Sequence, residues 1–99
     1  MAYQVILTAK ARGDLRAIAA YIAHDDPAAA MRFTGQLLDD AESLAQAPYR
    51  GTQVRQRPGV RRIVRGSYLI YYRVEEDAGI IRILRAWHGA RDPKTLRLS

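Results

Sequence analysis

The sequence contains no cysteine, and its two histidines, His24 and His88, are widely separated. These features exclude a disulfide framework and a thiolate zinc site, so we expect neither a metal ion nor another cofactor. No apolar run approaches the ~18 residues that a membrane-spanning helix requires. The first residues also lack the basic and long apolar regions of a secretory signal peptide. We therefore expect a cytoplasmic protein that does not contact a membrane.

Acidic residues are scarce in the second half of the chain. Residues 1–48 contain four basic and six acidic side chains, whereas residues 49–99 contain twelve basic and four acidic ones, and the formal net charge is +6. Arginine outnumbers lysine fourteen to two, and the guanidinium group favours planar, bidentate contact with carboxylate or phosphate. The charge therefore indicates a nucleic acid or an acidic protein segment as partner, unless it serves solubility alone.

Hydrophobic periodicity divides the chain into six elements. Thr8 and Asp26 are suited to cap helices, and Pro27 fits a first helical position. Runs of β-branched and aromatic residues, broken by glycine-containing turns, indicate the later strands. The pattern predicts a strand at 3–7, helices at 9–23 and 27–47, strands at 60–65, 68–74 and 80–88, and a C-terminal tail at 89–99.

The predicted order β-α-α-β-β-β is that of an α+β fold, and 99 residues leave room for one core. We therefore expect a single domain over residues 1–99. Short breaks between the last three strands predict an antiparallel sheet, and the short break between the helices predicts a helical hairpin on one of its faces. The other face is expected to be open.

Arginine recurs through the three later strands, at Arg61, Arg62, Arg65, Arg73, Arg82 and Arg85, and Arg91 follows. Arginine is almost never fully buried without a partner. The acidic residues close by in sequence are Asp92, beside Arg91, and Glu75, Glu76 and Asp77, which we assign to a hairpin turn. With so few acids nearby, binding to another molecule is a better explanation of these arginines than a solvated surface.

The end of the last strand carries Trp87 and His88. Strand alternation places Trp87 on the face of Ile81 and Ile83, in the core or in a binding groove. A histidine beside Gly89 is expected to hydrogen-bond a backbone group or Asp92, and the alternative is a role in acid-base chemistry.

Four features occur together in this sequence. They are the order β-α-α-β-β-β, the helix restart at Asp26-Pro27, the strand GSYLIYYRV at 66–74, and the ending HGARD at 88–92. In combination they resemble the RelE/ParE family of toxins from bacterial type II toxin-antitoxin modules. The resemblance implies a small basic, plasmid-stabilising toxin that is neutralised by an acidic, ParD-like antitoxin. It also allows a homodimer within the toxin-antitoxin complex.

Two activities occur in the family that the sequence resembles. RelE-like members cut messenger RNA on the ribosome, which requires cations at the scissile phosphate and acid-base groups. Here Arg61, Arg65 and Arg85 could hold phosphate and His88 could exchange a proton. However, no tyrosine follows Tyr72, so the C-terminal tyrosine of several such nucleases is missing.

ParE-like members instead inhibit DNA gyrase by binding, which needs no catalytic residues, and the HGARD ending resembles that branch. We therefore expect a gyrase inhibitor, with ribosome-dependent RNA cleavage as the first alternative and a non-toxic nucleic-acid-binding domain as the second. The residues expected to contact the target or the antitoxin are Arg61, Arg62, Arg65, Arg73, Arg82, Arg85, Trp87, His88, Arg91 and Asp92.

Overall fold

The computed structural model describes residues 3–91 and 96–98, so Asp92 lies outside the described residues. Two helices and five strands follow one another as β1 (Gln4–Leu7), α1 (Ala9–Ala23), α2 (Pro27–Ser43), β2 (Thr52–Gln53), β3 (Val60–Arg65), β4 (Tyr68–Glu75) and β5 (Ile80–His88). The strands form one sheet in the order β1-β5-β4-β3-β2. The predicted α+β class is confirmed.

The three later strands form the expected antiparallel meander, since β4 pairs antiparallel with both β3 and β5. The first strand differs from the expectation, because β1 pairs with β5 in parallel, with Val5 opposite Ile81. Local sequence patterns predict hairpins between neighbouring strands. They do not reveal which edge of the sheet β1 joins, because two helices separate β1 from the other strands in sequence. The connection between α2 and β3, for which no element was predicted, also contributes β2, in which Thr52 lies opposite Arg62.

The helices begin where their caps predict. The Thr8 hydroxyl accepts a hydrogen bond from the Ala11 amide, and Asp26 accepts one from the Ala29 amide. The predicted end of α2 at residue 47 is wrong, because the helix stops at Ser43 and the chain continues in i→i+3 turns up to residue 47. Residues before a proline avoid the α conformation, and Pro48 follows these turns.

Both faces of the sheet are covered, although we expected one to be open. The helix-covered face contains Leu37, Leu44 and Tyr72 among its buried residues. The opposite face, which we call the helix-free face, has a second cluster made of Val60, Tyr71, Leu84, Trp87 and Leu96. Leu96 is only 4% exposed, so the C-terminal residues 96–98 cover part of this face. The sequence predicted only a tail over 89–99, and its few apolar residues did not reveal that Leu96 packs against the sheet.

A β-bulge in β5 explains why Trp87 lies on the helix-free face rather than with Ile81 and Ile83. The pairing of β4 with β5 shifts between Tyr71, opposite Arg85, and Tyr72, opposite Ile83. One additional residue in a strand reverses which side chains point to each face beyond it. The predicted face of Trp87 was therefore wrong, although its burial was expected.

Tyr72 fastens the connection after α2 to the core. Its hydroxyl donates to the Pro48 carbonyl over 2.7 Å and accepts from the Gly51 amide over 2.9 Å, and the side chain is fully buried. A Cβ atom at Gly51 would lie 2.5 Å from this hydroxyl and 2.9 Å from the Arg62 carbonyl oxygen. Only glycine therefore fits position 51 without displacing the tyrosine or the β3 backbone.

We expect Gly51→Ala to lower the free energy of unfolding by about 1–3 kcal/mol, because it overpacks the site around Tyr72. Gly13→Ala is the control, since a Cβ atom there meets nothing within 4 Å. This helical substitution should raise stability by about 0.5–1 kcal/mol. Urea denaturation of both variants measures the difference, and equal stability of the two proteins would contradict the packing argument.

Candidate functional site

Three arginines of the sheet form bidentate ion pairs within the chain. Arg65 pairs with Asp40 at 2.7 and 2.8 Å, Arg82 with Glu75 at 2.6 and 3.1 Å, and Arg85 with Asp14 at 2.7 and 2.8 Å. The expected shortage of acids near these arginines is therefore wrong. Asp14 and Asp40 are distant in sequence, but helix packing brings them to the sheet. Glu75 belongs to β4 rather than to the turn that we assigned.

Asp14 and Arg85 make the most buried of these pairs, with each side chain 14% exposed. The β1–β5 pairing ends at Leu7 opposite Ile83, which leaves the next part of the β5 edge without a neighbouring strand. Asp14 takes that place, because its carboxylate also accepts a hydrogen bond from the Ala86 amide over 3.0 Å. Arg85 in turn donates to the Arg97 carbonyl over 2.6 Å. This arginine therefore connects α1, β5 and the C-terminal segment.

These contacts favour the ionised forms of Asp40, Glu75 and Arg85. The hydrogen bond from Arg65 lowers the pKa of Asp40, and the hydrogen bond from Arg82 lowers the pKa of Glu75. The hydrogen bond to Asp14 raises the pKa of Arg85. All three guanidinium groups are thus occupied by carboxylates at neutral pH.

Arg61 is held by the backbone of the connection before β2. It donates to the carbonyl oxygens of Tyr49, at 3.2 Å, and Gly51, at 2.8 Å, and it lies 5.0 Å from the centroid of the Tyr49 ring. The predicted phosphate-holding set of Arg61, Arg65 and Arg85 is therefore divided among three separate internal anchors.

The end of β5 has a different environment. His88 Nδ1 accepts a hydrogen bond from the Ala90 amide over 3.1 Å, which is a backbone contact of the kind that we expected, and the ring packs edge-on against Tyr68 at 5.0 Å. Arg91 lies 3.8 Å above the centroid of the Trp87 ring. Trp87 itself is 3% exposed. Among the described residues, His88 and Arg91 are therefore held by ring and backbone contacts.

An open hollow of ≈ 380 Å³ separates this strand end from α1. It is lined by Asp14, Ala17, Ile18, Tyr21, Tyr68, Ala86, His88 and Arg91. Tyr21 is 77% exposed at its rim. Sequence reasoning identified His88 and Arg91 but not the aromatic neighbours, whose approach depends on how α1 crosses the sheet.

The helix-free face holds arginines that have no carboxylate partner. Within residues 3–91 and 96–98, Arg62 forms no ion pair, and neither does Arg55, which lies in the connection between β2 and β3. Arg73 helps to lower the pKa of Glu75, after the larger effects on that carboxyl, but it also forms no ion pair there. The helix-free face and the loop beside it therefore carry three arginines without a carboxylate partner among the described residues.

The described part of the chain contains neither a candidate metal cluster nor a helix that could span a membrane. No group of three or more histidine, aspartate and glutamate side chains there is arranged to hold a metal ion. Neither helix in that part is long and apolar enough to cross a bilayer.

A helical hairpin packed on a five-stranded sheet is the fold of RelE/ParE toxins. The structure is similar to the chromosomal ParDE toxin-antitoxin system from P. aeruginosa, with a TM-score of 0.72 and 27% identity over 87% of this chain and 95% of that one. It is also similar to the toxin-antitoxin complex RelBE2 from Mycobacterium tuberculosis, with a TM-score of 0.68 and 28% identity over 89% of this chain and 99% of that one.

The sequence adds a narrower assignment. It is 39% identical to the toxin RelE2 of Caulobacter vibrioides over 90 residues, which cover 89% of this chain and 97% of that relative. Residues 5–93 match the family described as the ParE toxin of the type II toxin-antitoxin system parDE. The chain therefore belongs to the ParE toxin family of type II toxin-antitoxin systems.

We expect Asp14→Asn to lower the free energy of unfolding by about 3 kcal/mol, because Arg85 would keep its charge in a mostly buried site. Glu75→Gln is a matched control at a more exposed pair, whose side chains are 37% and 31% exposed, and it should cost less than about 1 kcal/mol. Chemical denaturation measures both values. Equal losses would show that the burial of the Asp14–Arg85 pair does not increase the cost of breaking it.

Acid should selectively remove the contribution of Asp40. Its folded-state pKa is lowered from 3.8, so the stabilisation is present above that value and is lost as pH falls through the folded pKa. The difference in melting temperature between the unmodified protein and Asp40→Asn should therefore be largest near neutral pH and should shrink below about pH 4. A difference that stays constant down to about pH 2 would contradict the assigned ion pair.

Proposed function

We propose that this chain is a toxin that inhibits DNA gyrase by binding, and that a cognate acidic antitoxin neutralises it in the cytoplasm. The observation that carries the proposal is the engagement of Arg61, Arg65 and Arg85 with groups of the same chain. A binding activity does not need these guanidinium groups to be released. RNA cleavage by the predicted set would require all three to exchange their present contacts for phosphate.

The position of His88 supports the same choice. Its Nδ1 atom is occupied by the Ala90 amide, and its ring is wedged against Tyr68. Arg85, the nearest of the predicted phosphate ligands in sequence, is committed to Asp14 and the Arg97 carbonyl. RNA cleavage would require a proton-transfer group and a phosphate ligand that both act within hydrogen-bonding reach of the same substrate atoms.

Ribosome-dependent RNA cleavage is the second candidate, and one observation favours it. The hollow beside α1 brings together His88, Tyr68, Tyr21 and the cation Arg91. Such a set offers a proton-transfer group, ring surfaces for base stacking and a charge for phosphate. In this case the nuclease site would lie in the hollow rather than at Arg61 and Arg65 of β3.

The proposed antitoxin follows from charge and from similarity. The second half of this chain has twelve basic and four acidic residues, and the two similar solved structures are described as toxin-antitoxin systems or complexes. Disordered acidic segments that fold on binding are suited to wrap such a surface. A homodimer of the toxin within that complex is part of the proposal.

Purified protein added to gyrase and plasmid DNA should trap cleaved DNA, and it should leave translation in a cell-free extract unaffected. His88→Ala should inhibit gyrase as strongly as the unmodified protein, because the histidine has no chemical role in a binding mechanism. The readout is the fraction of linear plasmid after denaturation of gyrase, with messenger RNA integrity measured in parallel.

Three results would overturn the choice of target. They are uncleaved plasmid, messenger RNA that is cut on the ribosome, and loss of that cutting in His88→Ala. Addition of the antitoxin should abolish whichever activity is present, and this control separates toxin action from a contaminating nuclease.

A further inference from the structure

We propose that a groove on the helix-free face binds the phosphate backbone of duplex DNA through Arg55, Arg62 and Arg73. The inference rests on the proposed function only for the choice of duplex DNA, since that is the nucleic acid on which gyrase acts. The groove itself is defined by the residues that surround it, and its affinity for DNA is measurable without gyrase.

Two adjoining hollows, of ≈ 620 Å³ and ≈ 350 Å³, form this groove. They share Arg57, and the C-terminal segment contributes Leu96 to the larger and Leu98 to the smaller. The other lining residues of the larger hollow are Thr52, Gln53, Val54, Arg55, Gln56, Arg62 and Tyr71, and those of the smaller are Pro58, Val60 and Arg73. Among the residues that the structure describes, no aspartate or glutamate lines either hollow.

The charges of the groove are arranged across the strands. Arg62 lies opposite Tyr71, and Arg73 lies opposite Val60, so the two arginines are diagonal neighbours on adjacent strands. Diagonal positions on one face are about 7–8 Å apart, which allows two long side chains to contact different groups of one ligand. DNA presents a regular row of negative charges, one per about 3.4 Å along each strand. A repeated anion therefore suits this arrangement better than a single carboxylate.

The loop that carries Arg55 is ordered before any ligand binds. Val54 donates to the Val60 carbonyl over 2.9 Å, and Val60 donates to the Arg57 carbonyl over 3.1 Å. Inside this loop Gln56 has a φ of 68°, a conformation that non-glycine residues rarely adopt. Such strain persists only where the surroundings impose it, and it accumulates at functional sites. A preformed loop reduces the entropy lost when Arg55 contacts a phosphate.

Arg57 contributes to the groove as an anchor. It donates to the Leu96 carbonyl over 2.8 Å and so holds the C-terminal segment against the sheet. This contact makes the segment a wall between the two hollows. Arg57 is therefore not one of the proposed phosphate ligands.

The accessible surface of the groove favours a nucleic acid backbone over an acidic peptide. An amphipathic peptide needs exposed apolar side chains, but Tyr71 is 2% exposed and Leu96 is 4% exposed. The exposed polar groups are instead Arg55, Arg73, Thr52, Gln53 and Gln56, and Arg62 is half-buried beside them. Side chains of these types commonly contact phosphate. The buried Tyr71 ring also offers no platform on which an unpaired base could stack. Double-stranded DNA, contacted through its backbone, matches this surface.

The test measures binding of a labelled 20-base-pair duplex over a salt series. The double variant Arg55→Gln/Arg62→Gln should lose about tenfold in affinity at low salt, and its dependence of log K on log salt should fall by about 2. Arg16→Gln/Arg32→Gln is the matched control, because it removes the same charge from exposed helix positions and should retain the affinity of the unmodified protein.

Several outcomes would overturn the proposal. An equal loss in both double variants would assign the binding to net charge alone. Tighter binding of a 20-nucleotide single-stranded RNA than of the duplex would assign the groove to RNA. Loss of antitoxin binding in Arg55→Gln/Arg62→Gln, with DNA affinity unchanged, would assign it to the antitoxin. Gyrase inhibition without any measurable affinity for DNA would overturn the groove and leave the proposed function intact.

Discussion

The ion pair between Asp14 and Arg85 is the contact on which the arrangement of this chain depends. It joins residues that are 71 positions apart in sequence, and it fixes the crossing of α1 over the sheet. The same carboxylate closes the β5 edge through the Ala86 amide, and the same guanidinium holds the C-terminal segment through the Arg97 carbonyl. A mostly buried charge pair is stabilising only when such further hydrogen bonds satisfy both partners, and here they do.

Carboxylates of the two helices also distinguish the arginines of the sheet from one another. Asp14 of α1 pairs with Arg85, and Asp40 of α2 pairs with Arg65. Arg62 and Arg73 form no ion pair among the described residues. The acidic first half of the sequence and the basic second half therefore do not act as independent regions. The helices cancel part of the charge of the sheet.

Much of the fold followed from the sequence, because caps and periodicity are local. The ends of α1, β3 and β5 agree with the predicted bounds, and Thr8 and Asp26 cap their helices as expected. The errors arose where distant parts of the chain meet. The parallel edge of β1, the acidic partners of the arginines and the cover over the helix-free face all depend on contacts between residues far apart in sequence. The composition indicated arginine as the candidate binding residue, but only packing distinguished Arg65, which pairs with Asp40, from Arg62, which has no ion pair among the described residues.

The bulge in β5 has a further consequence through Trp87, the only tryptophan of the chain. By turning this side chain to the helix-free face, the bulge places the indole in one cluster with Leu96, and both Arg85 and Arg91 lie within 5.0 Å of its ring centroid. The indole thus lies where the C-terminal segment meets the sheet, within a cluster that includes no residue from either helix. The fluorescence of Trp87 therefore reports whether that segment is packed against the sheet. Lifting the tail would change the polarity around the chromophore while the helical core remained folded, so the two events have separate signals in one unlabelled molecule.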